Sequence, residues 1–100
     1  MSALVRIVDV RPLEGHWVRL WFTDGVVKDV NLNEALAGGG VFEAIFRDRD
    51  VFEQVRVNPD SRTIEWPGGV DLDPDVLYGK FEAEGGIRIE RRLVKEPAAH

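Results

Sequence analysis

The sequence predicts a small α+β domain: a mostly antiparallel sheet, built from an N-terminal strand and two β-hairpins, packed with two or three short helices. Two observations predict this class. Short segments of β-branched or alternating apolar residues are separated by turn residues at close intervals, which is typical of antiparallel strands. Helix signals occur only in brief runs that end at glycines. The 100 residues, 11.3 kDa in mass, suffice for one domain with one modest hydrophobic core.

The first three predicted strands follow one another closely. Residues 4–11 are β-branched and mostly apolar, and Pro12 ends them. Residues 16–23 alternate in polarity, so successive side chains lie on opposite faces of the strand. One face carries Val18, Leu20 and Phe22, and the other carries Trp17, Arg19 and Trp21. A third strand is predicted at 26–32, after an Asp-Gly pair that is typical of a hairpin turn.

The length of this hairpin loop decides which side chains share a face. A two-residue Asp-Gly turn would pair Thr23 with Val26, whereas a three-residue loop with a left-handed Gly25 pairs Phe22 with Val26. A shift of one residue moves every side chain to the opposite face. Only the three-residue loop places the apolar sets of both strands on one face, and it sets Arg19 opposite Asp29. The sequence therefore predicts the three-residue loop.

Two short helices are predicted after this hairpin. The segment 31–36 offers an asparagine as a cap and ends at the glycines at 38–40. In the segment 41–47 four apolar residues recur at helical spacing, which predicts the second helix.

The second hairpin is predicted from strands at 51–57 and 63–66, joined by a polar loop. The residues Pro67-Gly68-Gly69 are expected to end this ladder. A last short helix is predicted to begin at Pro74 with Asp73 as its cap, and Gly79 limits its length.

Composition and charge exclude several classes of function. The net charge of −5 gives no general attraction to nucleic acid or to anionic membranes. Without cysteine the chain can form neither disulfides nor thiolate metal sites. No apolar run approaches the roughly 20 residues of a membrane-spanning helix, and the N-terminus lacks the pattern of a signal peptide. We therefore expect a cytoplasmic protein with no membrane partner.

The C-terminal residues 85–100 differ from the rest of the chain. They carry four cations and two carboxylates, a net charge of +2, which leaves −7 on residues 1–84. The sequence predicts one domain over 1–84 followed by a basic, mobile arm over 85–100. The cations of the arm are Arg88, Arg91, Arg92 and Lys95. They could contact phosphates, or the Ile-Arg-Ile segment could add a strand to the sheet of a partner.

No catalytic or cofactor-binding residue is predicted, and the chain is not expected to be an enzyme. Asp71, Asp73, Asp75 and Glu82 follow the outline of a calcium loop. Val76 stands where that loop requires glycine and Pro74 lies inside it, so a helix cap explains these residues better and no metal is expected. His16 lies beside Glu14 without an evident nucleophile or orienting group, and is expected to be a surface residue.

Several motifs occur in the order found in one bacterial family. They are Phe22-Thr23-Asp24-Gly25, Val30-Asn31-Leu32, Val41-Phe42, the segment 52–57 and, most specific, Trp66–Pro74. Over about residues 4–79 the chain resembles the family called domain of unknown function 2442. The resemblance implies a small α+β domain, found alone or ahead of a helix-turn-helix domain, and encoded beside small toxin-like proteins. It implies no catalytic residues.

The stripe Trp17, Arg19 and Trp21, with Val27 opposite on the next strand, is the predicted protein interface. Tryptophan and arginine are enriched at the centres of protein interfaces; the alternative is that the chain itself covers the stripe. We therefore expect a non-enzymatic interaction module that binds a protein partner, a toxin-like protein or a second copy in a homodimer. The alternative function is a DNA-associated regulator that acts as an oligomer or with a partner through the basic arm.

Overall fold

The computed structural model describes residues 5–79 and 86–95 and confirms the α+β class. The strands in these residues are β1 (Ile7–Pro12), β2 (Trp17–Phe22), β3 (Val27–Asn31), β4 (Arg56–Val57), β5 (Ile64–Trp66), β6 (Val70–Asp71) and β7 (Glu90–Leu93). The helices are α1 (Asn33–Leu36), α2 (Glu43–Arg47), α3 (Arg49–Phe52) and α4 (Pro74–Tyr78), with a short 3-10 turn (Gly40–Phe42) before α2. The strands form two antiparallel sheets, one ordered β1-β2-β3-β7 and the other β4-β5-β6.

The turn between β2 and β3 has the predicted three-residue form. The N–H of Phe22 donates to the carbonyl of Val26 at 2.9 Å, and the N–H of Gly25 donates to the carbonyl of Phe22 at 3.0 Å. Gly25 has a φ of 88°, a left-handed conformation that glycine adopts without strain. The resulting register pairs Arg19 with Asp29. The prediction of both the loop and the cross-strand pair is confirmed.

The two short helices predicted after this hairpin are also present. Before α1 the side-chain oxygen Oδ1 of Asn31 accepts from the N–H of Asn33 at 3.0 Å. The second predicted helix is divided into the 3-10 turn and α2, and Ile45 is its buried residue.

The segment 51–57 corrects the prediction of a continuous strand. Its first residues belong to α3, and only Arg56–Val57 pair with β5. The helix is favoured because Asp48 Oδ1 accepts from the N–H of Asp50 at 2.9 Å, which caps its first turn. An ion pair between Arg49 and Glu53, 2.9 Å long and four residues apart, adds to it.

The glycines after Trp66 turn the chain instead of ending the ladder as expected. Gly68 and Gly69 both have positive φ, at 93° and 78°, and the N–H of Gly69 donates to the carbonyl of Trp66. This tight loop brings Val70 opposite Trp66 and adds β6 to the second sheet. The predicted helix that follows is confirmed as α4.

The capping of α4 has the predicted form. Asp73 Oδ1 accepts from the N–H of Asp75 at 2.8 Å, and Pro74 is the first helical residue. Gly79 ends the helix in a left-handed conformation with a φ of 104°.

The main core lies between the inner face of the four-stranded sheet, the second sheet and the helices. Its most deeply buried side chains are Trp66, Phe52, Ile7, Leu20, Leu32, Leu36, Ile64, Leu77, Val18 and Val30. Trp66 is 1% exposed, and its indole N–H donates to the carbonyl of Phe52 at 3.0 Å. This bond joins the second sheet to the end of α3 and satisfies both polar groups away from water.

The C-terminal segment differs from the expected mobile arm. Glu90–Leu93 form β7, which pairs with β3 along its whole length. The ladder continues beyond it, because the N–H of Val94 donates to the carbonyl of Val27 at 2.9 Å. Pairing is favourable because β3 would otherwise present an edge of unpaired backbone groups. The residues at 80–85 and 96–100 lie outside the described part of the chain.

A polar contact joins the β2–β3 turn to α4. The hydroxyl of Tyr78 donates to Asp24 Oδ2 at 2.6 Å, and the Tyr78 ring meets Phe22 edge-on at 4.9 Å. The hydrogen bond to Asp24 and burial raise the pKa of Tyr78. Burial alone would raise the pKa of Asp24, but the hydrogen bonds from Tyr78 and from the N–H of Val26 outweigh it, and the pKa is lowered.

Lys28 also contacts this tyrosine, although it lies on the face of β3 that looks toward the core. Its ammonium group donates to the carbonyl of Tyr78 and lies 4.0 Å from the centre of the ring. Burial, followed by the nearby charge of Arg91, lowers the pKa of Lys28. No helix among residues 5–79 and 86–95 is both long and apolar enough to cross a membrane.

Trp66→Phe is expected to lower the free energy of unfolding by about 2–4 kcal/mol. The smaller ring leaves a void and removes one of the two donors to the Phe52 carbonyl, the other being the N–H of Val55. Urea denaturation measures the change. Val41→Ala is the control, because Val41 is 70% exposed and a surface truncation should change stability by less than about 0.5 kcal/mol. An equal effect of both substitutions would contradict the central place of Trp66.

Tyr78→Phe is expected to cost about 0.5–1 kcal/mol at neutral pH, because it removes only the hydroxyl bonded to Asp24. Because the pKa of Asp24 is lowered, the stability that this hydrogen bond contributes is present above the ordinary aspartate pKa of about 4. It is lost as the pH falls through the pKa of Asp24 in the folded protein. The raised pKa of Tyr78 means that it is lost again as the pH rises above about 10.

Denaturation of the wild type and of Tyr78→Phe across this pH range measures the difference in stability. The expected curve has a plateau between the two limbs. A difference that did not change with pH would show that the hydroxyl acts through packing alone.

Candidate protein-binding face

The outer face of the four-stranded sheet, opposite the core, brings together two groups of residues that the sequence predicted separately. The register places Arg19 opposite Asp29, and Asp29 in turn opposite Arg92 of β7. Trp17 lies on the same face, two residues before Arg19. We call Trp17, Arg19, Asp29 and Arg92 the Trp17 face. It unites part of the predicted tryptophan stripe with part of the predicted basic arm.

Arg19 and Asp29 form a two-pronged ion pair across β2 and β3. The Nε and one terminal nitrogen of Arg19 donate to the two carboxylate oxygens of Asp29, at 2.8 and 3.0 Å. The side chains are 26% and 16% exposed, so water competes with the pair only in part. The hydrogen bond to Asp29 raises the pKa of Arg19 despite the opposing effect of burial. The pair is fixed in geometry and leaves little net charge at the centre of the face.

Arg92 stacks on the indole of Trp17. The guanidinium carbon lies 4.3 Å from the ring centre, within the range of a cation–π contact. Trp17 stays partly exposed, and Arg92 itself is exposed. The contact therefore orders a long, flexible side chain at the surface without hiding either group from a partner.

A shallow cavity of about 310 Å³ opens beside this stack. It is lined by Leu13, Glu14, Trp17, Asp29 and Arg92. The rim is the turn between β1 and β2, and the guanidinium of Arg49 donates to two carbonyls of that turn, those of Leu13 and Gly15. Because α3 thus holds the turn, the cavity has a defined wall.

Trp21 and Val27 do not contribute to this surface, which corrects their expected place in an exposed interface. Trp21 is 8% exposed and Val27 is 4% exposed within the chain itself. The two residues are paired across β2 and β3 on the outer side of the sheet. The sequence pattern could identify the face of the strand correctly but not the fact that the chain covers one end of it.

The basic residues of the C-terminal segment do not act as one strip. Arg91 lies on the opposite side of β7 from Arg92 and donates to the carbonyls of Val76 and Leu77, at 2.8 and 3.2 Å. It thereby satisfies carbonyls at the end of α4. Arg88 and Lys95 are exposed. Of the four cations predicted to contact a partner, Arg91 is therefore engaged within the chain, whereas Arg88, Arg92 and Lys95 are exposed.

His16 is held more firmly than its predicted place at the surface suggests. Its two ring nitrogens lie 3.0 Å from Oδ1 of Asn33 and 2.9 Å from the carbonyl of Phe46, so the nitrogen facing that carbonyl must donate. The ring also stacks on Phe46 with the centres 4.6 Å apart. His16 thus links the start of β2 to α1 and α2 as a structural residue. Its polar sequence context gave no sign of these distant partners.

The acidic segment before α4 has a capping role in this structure. Asp73 is used as the helix cap, and no group of three or more His, Cys, Asp or Glu side chains in the described residues could hold a metal ion. Glu82, the last member of the calcium-loop outline, lies outside the described residues.

Comparison with known proteins identifies the family. A family model described as Protein of unknown function (DUF2442) matches residues 7–83. The chain belongs to the DUF2442 family. No curated protein and no solved structure matches it.

The residues that carry the DUF2442 resemblance most specifically are structural. Within the block from Trp66 to Pro74, the tryptophan fills the core, the glycines form the turn to β6, and Asp73 caps α4. The match ends before β7, so Arg92 of the Trp17 face lies beyond it. The DUF2442 match accordingly accounts for the scaffold, and the surface chemistry must be argued from this chain.

A double-mutant cycle tests the ion pair of this DUF2442 chain. We expect Arg19→Met, Asp29→Asn and the double variant to give a coupling energy of about 1 kcal/mol, at the upper end of the range for exposed pairs, because the pair is two-pronged and partly buried. Urea unfolding at low and high salt measures it, and the coupling should fall as salt rises. The exposed pair Glu43–Arg47 is the control, with a smaller expected coupling.

Proposed function

We propose that the chain is a non-enzymatic binding module that contacts a protein partner through the Trp17 face. One observation carries the proposal: a partly exposed tryptophan holds an arginine in a fixed stack beside an open cavity. Truncation of tryptophan or arginine at a protein interface commonly costs more binding energy than truncation of other residues. Here both lie on strands, which limits the conformational entropy that binding would cost.

The charges around the cavity indicate what a partner would present. Arg92 is exposed, and Arg11 is exposed on β1 opposite Arg19, whose own charge is paired with Asp29. Arg11 and Arg92 thus flank a neutral centre. A segment that presents carboxylates to these two arginines is complementary to this arrangement.

The family resemblance suggests the class of this partner. Proteins of similar sequence tend to be encoded beside small toxin-like proteins, so an antitoxin-like or regulatory role is the form of the proposal that we favour. The net charge of −5 and the internal hydrogen bonds of Arg91 support a protein partner over DNA.

Co-purification from the native cell tests the proposal. Tagged wild-type chain, Trp17→Ala and Arg92→Ala are compared, and the partner is then purified and titrated against each by calorimetry. We expect either substitution to weaken binding by about 30-fold or more, which is the loss of a central interface residue.

Val41→Ala is the matched control, since Val41 is an exposed apolar residue on the 3-10 turn. Circular dichroism establishes that each variant is folded. A partner that binds Trp17→Ala and Arg92→Ala as tightly as the wild type would show that this face is not the binding surface.

A further inference from the structure

The two edge strands of the four-stranded sheet differ in whether a further strand could pair with them. The edge strands are β1 and β7. In an antiparallel ladder, successive residues direct their backbone N–H and C=O groups alternately toward and away from the neighbouring strand. The position of one ladder bond therefore shows which groups face outward at each edge.

The β1 edge is closed to a further strand. The N–H of Leu13 donates to the carbonyl of Trp17, so Val10 and Pro12 direct their backbone groups outward. Pro12 has no N–H, and the N–H of Val10 donates to Oδ1 of Asp9 at 2.8 Å. Farther along, the N–H of Ile7 donates to the carbonyl of Arg62. Prolines and acidic side chains at such positions block the addition of strands.

Among the described residues, the β7 edge carries no such block. Because the N–H of Val94 donates to Val27 of β3, Glu90 and Arg92 also direct their backbone groups toward β3. Arg91 and Leu93 direct theirs outward, and these groups have no hydrogen-bond partner in the described part of the chain. The side chain of Leu93 is 60% exposed beside them.

We propose that the outer edge of β7 pairs with β7 of a second copy of the chain, which joins the two four-stranded sheets into one continuous antiparallel sheet. A two-fold axis requires the same patch to be complementary to itself. The sequence of β7 meets this requirement in one register, the one in which Arg91 lies opposite Arg91 of the second copy.

That register pairs opposite charges twice. Glu90 lies opposite Arg92 of the second copy, and Arg92 opposite its Glu90, on the outer face of the joined sheet. Leu93 lies opposite Ile89 of the second copy and gains an apolar neighbour. The two copies of Arg91 face each other, but each is bonded to carbonyls of its own α4.

The other registers centred on β7 are unfavourable. A shift in one direction sets Glu90 against Glu90, and a shift in the other sets Arg92 against Arg92 or Arg91 against Lys95. Like charges directly opposite on adjacent strands destabilise the pair. Among the registers centred on β7, only the one centred on Arg91 offsets its like-charge contact with two Glu90–Arg92 pairs, and this favours a second copy in that alignment.

The mass in solution tests the proposal, by light scattering coupled to size-exclusion chromatography over a series of concentrations. We expect the wild type to approach twice the monomer mass of 11.3 kDa as its concentration rises. The association should be weak, since a single strand pair buries less than the roughly 1,000 Å² typical of stable interfaces. A wild type that stays at the monomer mass up to concentrations on the order of 1 mM overturns the proposal.

Two variants locate the contact. Leu93→Pro removes an N–H that the monomer does not use, so it should keep the fold but stay monomeric. Glu90→Arg places arginine against Arg92 of the second copy and should also stay monomeric. Circular dichroism verifies the fold of both. A dimer that persists in both variants, or that is lost in Trp17→Ala but kept in Leu93→Pro, overturns the β7 contact; neither result depends on whether the Trp17 face binds another protein.

Cysteine substitutions test the register, because the chain contains no cysteine of its own. Arg91→Cys should form a disulfide between copies, since directly opposite residues lie at a distance that a disulfide spans. Leu93→Cys should not, because its two copies are offset along the strands. Cross-linking of Leu93→Cys without cross-linking of Arg91→Cys would contradict the proposed alignment.

Discussion

The register of β2 against β3 is the constraint on which the rest of the molecule depends. It is set by one left-handed glycine, Gly25, in a three-residue turn. With one residue fewer in that turn, Val30 would lie on the face of Trp17, away from Leu20. The ion pair between Arg19 and Asp29 and the alignment of β7 beside it both follow from the same register.

Much of the fold was predictable because its determinants are local. The Asp-Gly turn, the Asp73-Pro74 helix start and the alternation over 16–23 each act within a few residues of one another, and all three predictions were confirmed. Helix α3 was missed because Val51 and Phe52 have strand propensity, while the deciding contacts are the Asp48 cap and the Arg49–Glu53 pair. Strand propensity alone therefore could not show that these side-chain contacts favour a helix here.

The candidate site was predictable only in part, because it depends on contacts between distant segments. The alternation identified the face of Trp17 and Arg19. Arg92 lies on this face only because it pairs with Asp29, which is far from it in the sequence. The burial of Trp21 and the bonds of Arg91 to α4 likewise arise from tertiary structure. Family-specific residues such as Trp66 serve the core, so family membership identifies the scaffold and leaves the surface to be interpreted from its own chemistry.

The pairing of β3 with β7 also bears on how the polypeptide folds as it is synthesised. Strands β1 to β3 can assemble as soon as the first third of the chain is available, because their contacts are close in sequence. The hydrogen-bonding groups of Val27 and Asp29, however, must wait until the residues near 92 have been made. During that interval the nascent sheet has an uncovered edge, and a chaperone or a neighbouring nascent chain could occupy it before the native strand arrives.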